Sequence, residues 1–271
     1  MRPIEEQTIL VTGATDGLGR ALARELSQRG ATVLLHGRNE DRLGEAVAEL
    51  GSERVRTYTA DLASLDEVRA MAAEILEHEQ ALHTLVNNAG IGTVLPDGRA
   101  ESRDGYELRF AVNYLSHYLL TKLLEPLIVG SAPARIVNVS SAGQWPIDFD
   151  DVMLEREYEG FRAYAQSKLA QVMFTIDLAD ELQDDGVTVN CLHPATFMPT
   201  KMVFAARGSA ASTLEEGVEA TLHLVADPDL DGTTGRYFNG LRESEAIDQA
   251  YDVSARTRLR ELSDRLTGLP D

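Results

Sequence analysis

The chain has 271 residues, is 44% hydrophobic and carries a net charge of −19, from 44 acidic and 25 basic side chains. This composition supports a sizeable core and is far from that of disordered chains, while the acidic balance argues against nucleic acid and anionic membrane surfaces, which both call for clustered Lys and Arg. The single cysteine, Cys191, excludes a disulfide framework within the chain and suits a reducing, cytoplasmic setting.

The N-terminus shows no apolar signal stretch, and no run approaches the length of a membrane span. Thr8 to Thr12 is a short β-branched apolar run that reads as a strand buried on both faces. It enters Thr12-Gly13-Ala14-Thr15-Asp16-Gly17-Leu18-Gly19, then a helical pattern through Leu22, Leu26 and Arg29 that Gly30 closes. Strand, glycine-rich turn and helix are the setting of a phosphate-binding loop. The turn lets backbone approach a pyrophosphate, and the helix N-terminus offers it free N–H groups.

The next strand, Thr32 to Leu35, ends at His36-Gly37-Arg38. In a dinucleotide-binding fold an acid here would hold the ribose 2′-hydroxyl of NAD. Gly37 stands there instead, and Arg38 suits a 2′-phosphate through charge-assisted bonds. NADP(H) is therefore the preferred cofactor, with NAD(H) as the lesser one. A helix over Glu40 to Leu50, a strand over Val55 to Ala60, a helix over Leu65 to His78 and a strand over Leu82 to Val86 follow. The last runs into Asn87-Asn88-Ala89-Gly90, turn chemistry at the strand end where open α/β sheets bind ligands.

A long helical stretch from Gly105 to Ile128 carries Asn113 in its middle, a poor helix former that marks a local distortion. The fifth strand, Arg135 to Ser140, ends in Ser140-Ser141-Ala142-Gly143. Residues 144–160 are acidic and irregular and read as a solvated loop or short helix. They contain no histidine, and the chain's six histidines show no metal-ligand spacing, so no metal is expected. Each histidine reads singly as surface or core.

Tyr164-Ala165-Gln166-Ser167-Lys168 lies in the next helix. Residues at this spacing share a helix face, and a cation beside a phenol lowers its pKa. Eight tyrosines and three lysines produce such a pair by chance about once in ten chains of this size, so the pair alone is only suggestive. Leu169, Val172, Met173, Ile176 and Leu182 form that helix's apolar stripe. Val187 to Leu192 is a sixth strand. Helices near Thr213 to Val225 and Ser244 to Thr267 and a short strand near Arg236 to Phe238 complete the chain. The alternation implies one α/β domain over 1–271: a doubly wound, mostly parallel sheet of about seven strands, with a core over 7–193 and a substrate-covering part over 194–271.

Taken together, these passages resemble the short-chain dehydrogenase/reductase family over about residues 7–240. Residues 12–19 fit its TGxxxGxG loop, Asn87-Asn88-Ala89-Gly90 its NNAG element, and Asn113, Ser141, Tyr164 and Lys168 its catalytic tetrad. Val112 to His117, Tyr164 to Ala170, Leu192-His193-Pro194 and Gly235 to Phe238 are similar to the branch of retinol dehydrogenases and the oxidoreductase domain of WW-domain-containing oxidoreductase. The wide spacing from Ser141 to Tyr164, filled by the acidic insertion, agrees with that branch.

The resemblance implies hydride transfer between a nicotinamide and a carbonyl or alcohol carbon. It makes Tyr164 the acid/base, with Lys168 lowering its pKa and binding the nicotinamide ribose, Ser141 hydrogen-bonding the substrate oxygen and Asn113 ordering a water. Ser140 is a rival to Ser141. Gly13, Thr15, Gly17, Leu18 and Gly19 would line the phosphate loop, Arg38 would hold the 2′-phosphate, and Asp61 and Leu62 would frame the adenine. Asn88, Ala89, Gly90, Tyr164, Lys168 and Pro194 would also meet the cofactor. The family's usual Pro-Gly is Pro194-Ala195 here, and Thr196 and Thr200 compete for the nicotinamide amide. Loops 91–104, 144–160 and 195–215 would shape the substrate pocket, with Phe197, Met198, Met202, Val203 and Phe204 as an apolar wall or a lid packed on the core. A small-molecule carbonyl or alcohol is the expected partner, alongside a homodimer or homotetramer built through the helices near 105–128 and 160–184. A C=C reductase and a non-catalytic NADP-binding regulator remain as other classes.

Overall fold

A computed structural model describes residues 2–51, 53–94 and 98–270. Eight strands form one sheet in the order β3-β2-β1-β4-β5-β6-β7-β8. They are β1 (Thr8–Val11), β2 (Thr32–Gly37), β3 (Val55–Thr59), β4 (Thr84–Asn87), β5 (Ala134–Val139), β6 (Val187–His193), β7 (Tyr237–Asn239) and β8 (Arg242–Ser244). All neighbours pair in parallel except β7 and β8. The eighth strand was not expected. It is a short return strand after Asn239-Gly240-Leu241, where Gly240 takes a φ of 61°, and it carries no periodic signal of its own.

Strand side chains alternate between the sheet's two faces. Leu10, Leu34, Leu85 and Ile136 point to one core, and Ile9, Val11, Val33, Leu35, Val86 and Val137 to the other. The second core is closed by α1 (Gly17–Gln28), α2 (Glu40–Leu50) and, far along the chain, α8 (Leu214–Ala226). The first is closed by α3 (Leu65–His78), α5 (Ser116–Gly130) and α6 (Gly160–Glu181). The helices α2 and α3 occupy the spans expected of them. Asn39 and Ser64 accept from Arg42 N and Glu67 N, and acids fill both first turns.

The expected helix from Gly105 to Ile128 divides. A single turn α4 (Leu108–Phe110) leads into a π-helical turn, Ala111–Leu115, with Asn113 at its centre, and α5 then runs to Gly130. The distortion inferred from Asn113 is therefore present, as a widened turn of the kind that clusters at functional sites.

The C-terminal part departs from expectation in two ways. The expected helix from Ser244 does not form as one piece: Asp248–Tyr251 is a short 3-10 turn, and the last α-helix is α9, Val253–Thr267. Only the segment around the short helix α7 (Lys201–Arg207) faces the ligand crevice; α8 packs on α1 and β5, and α9 packs on α6 and the π turn. The seam of α9 is polar as well as apolar. Tyr114 Oη pairs with Ser263 Oγ at 2.7 Å, Tyr118 Oη donates to Asp264 Oδ1 at 2.5 Å, and Arg260 Nη1 lies 2.8 Å from Asp177 Oδ2. Helix α9 thus packs on α6 and the π turn and reaches Tyr118 of α5. Among the described residues no helix is long and apolar enough to cross a membrane.

Leu259 is 2% exposed at the centre of that seam. Leu259→Ala is expected to lower stability by about 2–4 kcal/mol, the range for emptying a buried leucine site. Urea unfolding followed by far-UV circular dichroism measures it.

Candidate active site

The sheet order reverses between β1 and β4, and a crevice opens beyond their carboxyl ends. It is a cleft of about 800 Å³. Its floor begins at the glycine-rich turn. Gly13 has a φ of 67°, and a Cβ there would come within 2.9 Å of Ala89 Cα, so only glycine lets the β1 and β4 turns approach. Asp16 caps α1 by accepting from Gly17 N at 2.9 Å.

The backbone groups exposed by this approach are met by side chains. Thr12 Oγ1 accepts from Asn88 N at 2.8 Å and Ala89 N at 3.0 Å. Asn88 Nδ2 donates to Thr12 O at 2.7 Å. Gly13 N donates to His36 Nδ1 at 3.2 Å, and His36 Nε2 meets Ala60 O at 3.0 Å. His117 sits beneath, with Nε2 3.1 Å from Thr12 Oγ1 and Nδ1 3.1 Å from Asn113 O. Singly, His36 and His117 read as core or surface residues. Nothing in their spacing announces that they brace the loop, because His36 meets main-chain atoms 23 and 24 positions away and His117 meets a threonine hydroxyl 105 positions away.

At the other end of the cleft Arg38 lines the wall and meets no acid among the described residues. The neighbouring Gly37 has no room for an acidic side chain, since its Cβ would lie 2.5 Å from Thr15 Cγ2. Asp61, Leu62, Leu18, Asn88, Ala89, Gly90 and Pro194 line the cleft as expected.

The four tetrad residues come together on the opposite side. Asn113 spends its amide on the loop after β4: Oδ1 accepts from Ile91 N at 2.8 Å, and Nδ2 donates to Ile91 O at 3.2 Å and Ser167 Oγ at 3.0 Å. Ser141 Oγ accepts from Gly143 N at 3.0 Å and hydrogen-bonds the Tyr164 phenol. Ser140 Oγ donates to Lys168 O at 2.7 Å, so Ser140 is tied into helix α6 and Ser141 is the serine at the phenol.

Lys168 Nζ lies 5.8 Å from the centre of the Tyr164 ring. It is 3% exposed and donates to Val139 O and Gln171 Oε1, both at 2.9 Å. Burial pushes its pKa down to about 7. The Tyr164 phenol is shifted up by burial, with the Ser141 hydrogen bond opposing. This differs from the expected lowering by Lys168. The ammonium is turned to the Val139 carbonyl and is itself desolvated, so removal of the phenol from water wins.

Thr200 caps α7 by accepting from Val203 N at 3.3 Å, and its methyl group lies beside Gly17. Thr196 Oγ1 is engaged with His193 Nε2 at 3.1 Å. Of the two threonines, Thr200 is the one against the glycine-rich turn. Phe197, Met198, Met202 and Val203 line the cleft, whereas Phe204 is exposed and does not. The acidic segment 144–160 does not line it at all. Ile147 and Leu154 anchor that segment in the protein, and its acids face outward. Of the expected loop 91–104, residues 91–93 line the cleft, and 95–97 lie outside the described residues. Among the described residues no cluster of His, Cys, Asp or Glu could hold a metal ion.

This fold and site match a family model described as short chain dehydrogenase over residues 7–209. The chain belongs to that family. It is 37% identical to retinol dehydrogenase 14 of Homo sapiens, over 97% of this chain and 87% of that protein, and 36% identical to human retinol dehydrogenase 13, over 98% and 86%. An uncharacterized protein from Mycobacterium paratuberculosis has a similar structure, with TM-score 0.78 and 27% identity over 98% of this chain and 96% of that one. A short chain dehydrogenase from Shigella flexneri complexed with NADP aligns with TM-score 0.71 and 27% identity, over 88% of this chain and 98% of that one. The protein is accordingly an oxidoreductase acting on CH–OH and C=O groups.

The two buried imidazoles give the site a pH dependence. Burial holds His36 at about 4 and His117 at about 3, below the ordinary histidine value, with the carbonyls of Ala60 and Asn113 opposing. The folded state binds fewer protons than the unfolded chain below the free-histidine pKa of about 6.5. Their stability is therefore intact above that value and lost as pH falls through it toward 4, by at most about 1.4 kcal/mol per pH unit for each ring. Melting temperature is expected to drop across this window. His117→Gln is expected to flatten the slope, as scanning calorimetry from pH 7 to pH 4 would show.

Proposed function

We propose that this protein is an NADP-dependent oxidoreductase that interconverts a carbonyl and an alcohol on a small to medium apolar substrate, with Tyr164 as the acid/base. The observation that carries the reading is the cleft's polarity. One end has Arg38, which meets no acid among the described residues, beside a glycine that leaves no room for a ribose-binding acid, and the other has a phenol, a serine hydroxyl and a buried lysine within one neighbourhood. The cradle between them, where Gly13 closes on Ala89, fits a pyrophosphate. The NADP named for the Shigella flexneri structure and the retinol dehydrogenase names of the relatives are consistent with it.

NADP(H) bound there would supply or accept the hydride. Gly13, Thr15, Gly17, Leu18 and Gly19 would hold its phosphates, Arg38 its 2′-phosphate, Asp61 and Leu62 its adenine, and Thr200 its nicotinamide end. Tyr164 donates its proton to the carbonyl oxygen in reduction and takes one back in oxidation. A phenol shifted up by burial is protonated at neutral pH, which suits the donor role. Ser141 hydrogen-bonds the same oxygen and stabilises its developing charge. Lys168, in its protonated form, favours the phenolate. Asn113 fixes the Ile91 peptide that walls the site. The apolar lining by Ile91, Leu108, Val112 and Met202 suits an apolar substrate.

Tyr164→Phe is expected to cut NADPH-dependent reduction of aldehydes at least about 100-fold, the lower range for loss of a general acid, while NADPH binding measured by fluorescence is retained; near-normal turnover would sink the role. Arg38→Asp is expected to shift the ratio of NADPH to NADH kcat/KM by about 10-fold or more toward NADH, in line with loss of a charge-assisted bond. With the phenol as proton donor, kcat/KM for reduction falls and that for alcohol oxidation rises as pH increases through its pKa. Parallel profiles for the two directions would contradict the assignment.

A further inference from the structure

The short helix α7 spans the crevice and ends in an arginine, Arg207, that meets no acid among the described residues. Its first residue, Lys201, lies 2.6 Å from Asp16 Oδ2 in the glycine-rich turn. The next residue, Met202, lies against Gly92 on the opposite wall, so close that a Cβ at Gly92 would fall 2.4 Å from Met202 Cγ. The helix therefore roofs the cleft from one bank to the other. Met202, Val203, Ala206 and Arg207 all line it. These positions share one helix face, and three of them are apolar.

Arg207 is held in place. Its guanidinium carbon sits 4.1 Å from the centre of the Phe197 ring, a stacking geometry that suits a planar cation. Phe197 itself has a φ of 54°. A bulky side chain in this left-handed region costs about 1–2 kcal/mol. The conformation is kept by the surrounding chain, where Phe197 O accepts from Ala211 N at 2.9 Å. Strain is thus maintained where it presents an aromatic platform to the cation.

The other cations of the cleft are already employed. Lys168 Nζ is bound to Val139 O and Gln171 Oε1, Lys201 is paired with Asp16, and Arg38 is assigned to the 2′-phosphate end. Arg207 alone among them combines an aromatic platform with a place on the apolar roof, and it pairs with no carboxylate among the described residues. In a chain with 44 acids and 25 bases, an exposed cation that lines a ligand cleft and meets no acid among the described residues points to an anion brought by the ligand.

We propose that Arg207 is a specificity residue, and that the substrate, within the carbonyl/alcohol reading above, has an apolar body bearing a carboxylate that pairs with the Arg207 guanidinium. The apolar body lies under Met202, Val203 and Ala206, and the carboxylate replaces the water on Arg207. A neutral, purely hydrocarbon carbonyl would leave that charge unused.

Isothermal titration calorimetry with decanoate and with its uncharged isostere decanamide, with and without NADPH, tests this. Decanoate is expected to bind about fivefold more tightly, the upper range for a part-exposed ion pair. Arg207→Gln is expected to erase the difference, and Arg207→Lys to retain part of it. Equal affinities in the wild-type protein, or an undiminished preference in Arg207→Gln, would overturn the proposal. So would a loss of NADPH affinity in Arg207→Gln equal to the loss for decanoate, which would assign the cation to the cofactor. The carbonyl/alcohol reading fails by a different observation, absence of NADPH-dependent turnover across an aldehyde panel, because binding of decanoate is read without turnover.

Discussion

Where two parallel strands end at a crevice, their last peptide groups lose their ladder partners, and buried groups left unpaired cost about 1–3 kcal/mol each. The ends of β1 and β4 solve this with side chains. The Thr12 hydroxyl takes the N–H groups of Asn88 and Ala89, His36 takes that of Gly13, and Asn113 clamps both polar atoms of the Ile91 peptide. Satisfied in this way, the crevice keeps its shape without a ligand. The same arrangement fixes what may surround it. The π turn exists because Asn113 must reach Ile91 while its carbonyl meets His117, and His117 in turn supports Thr12. Loop, turn and strand ends form one hydrogen-bonded unit, so a change at any member is felt at the others.

The buried lysine extends this logic to the chemistry. An ammonium that is 3% exposed is costly to hold, and its pKa near 7 expresses that cost. Tyr164 stands in the same desolvated space, with its phenol shifted the opposite way. The two groups therefore meet with their proton affinities driven apart: an amine that gives up its proton more easily beside a phenol that holds its own more firmly. Environments that separate two neighbouring titrations in this way separate the acid and base roles of the groups. The separation comes from burial on α6 more than from direct attraction, since Lys168 faces the Val139 carbonyl.

Elements with strong local signals were legible in the sequence. The spans of α2 and α3 were set by their helical pattern, and the awkward Asn113 announces the distorted turn. The tetrad and the glycine-rich turn were legible because each side chain sits at a strand end or a helix turn whose type the pattern specifies. What escaped was set by distant packing. Helix α7 and strand β8 are too short for periodicity and are held by a cap, a salt bridge and a sheet edge. His36 acts on backbone atoms and His117 on a distant threonine hydroxyl, partners that no local pattern reveals. The pKa direction at Tyr164 also depends on where the Lys168 ammonium points, which spacing along a helix does not determine. The acidic segment 144–160 looked like part of the site because it precedes Tyr164, yet Ile147 and Leu154 turn it into the protein and away from the cleft.

The division of the C-terminal part follows from charge and shape together. Helix α9 brings Arg256 and Arg260 to Asp177 on α6, on the side of that helix away from the crevice, and Tyr114 and Tyr118 reach across to Ser263 and Asp264. The π turn and α6, which carry the tetrad's Asn, Tyr and Lys, are thereby braced from behind within one chain. Helix α7 meets the crevice from the front, through the Lys201–Asp16 pair, whose side chains are both largely exposed, and through Met202 against Gly92. Such an ion pair contributes up to about 1 kcal/mol. The tetrad side is thus braced by buried contacts and the roof by more exposed ones. That asymmetry suits a site that keeps fixed proton geometry while a ligand enters and leaves beneath α7.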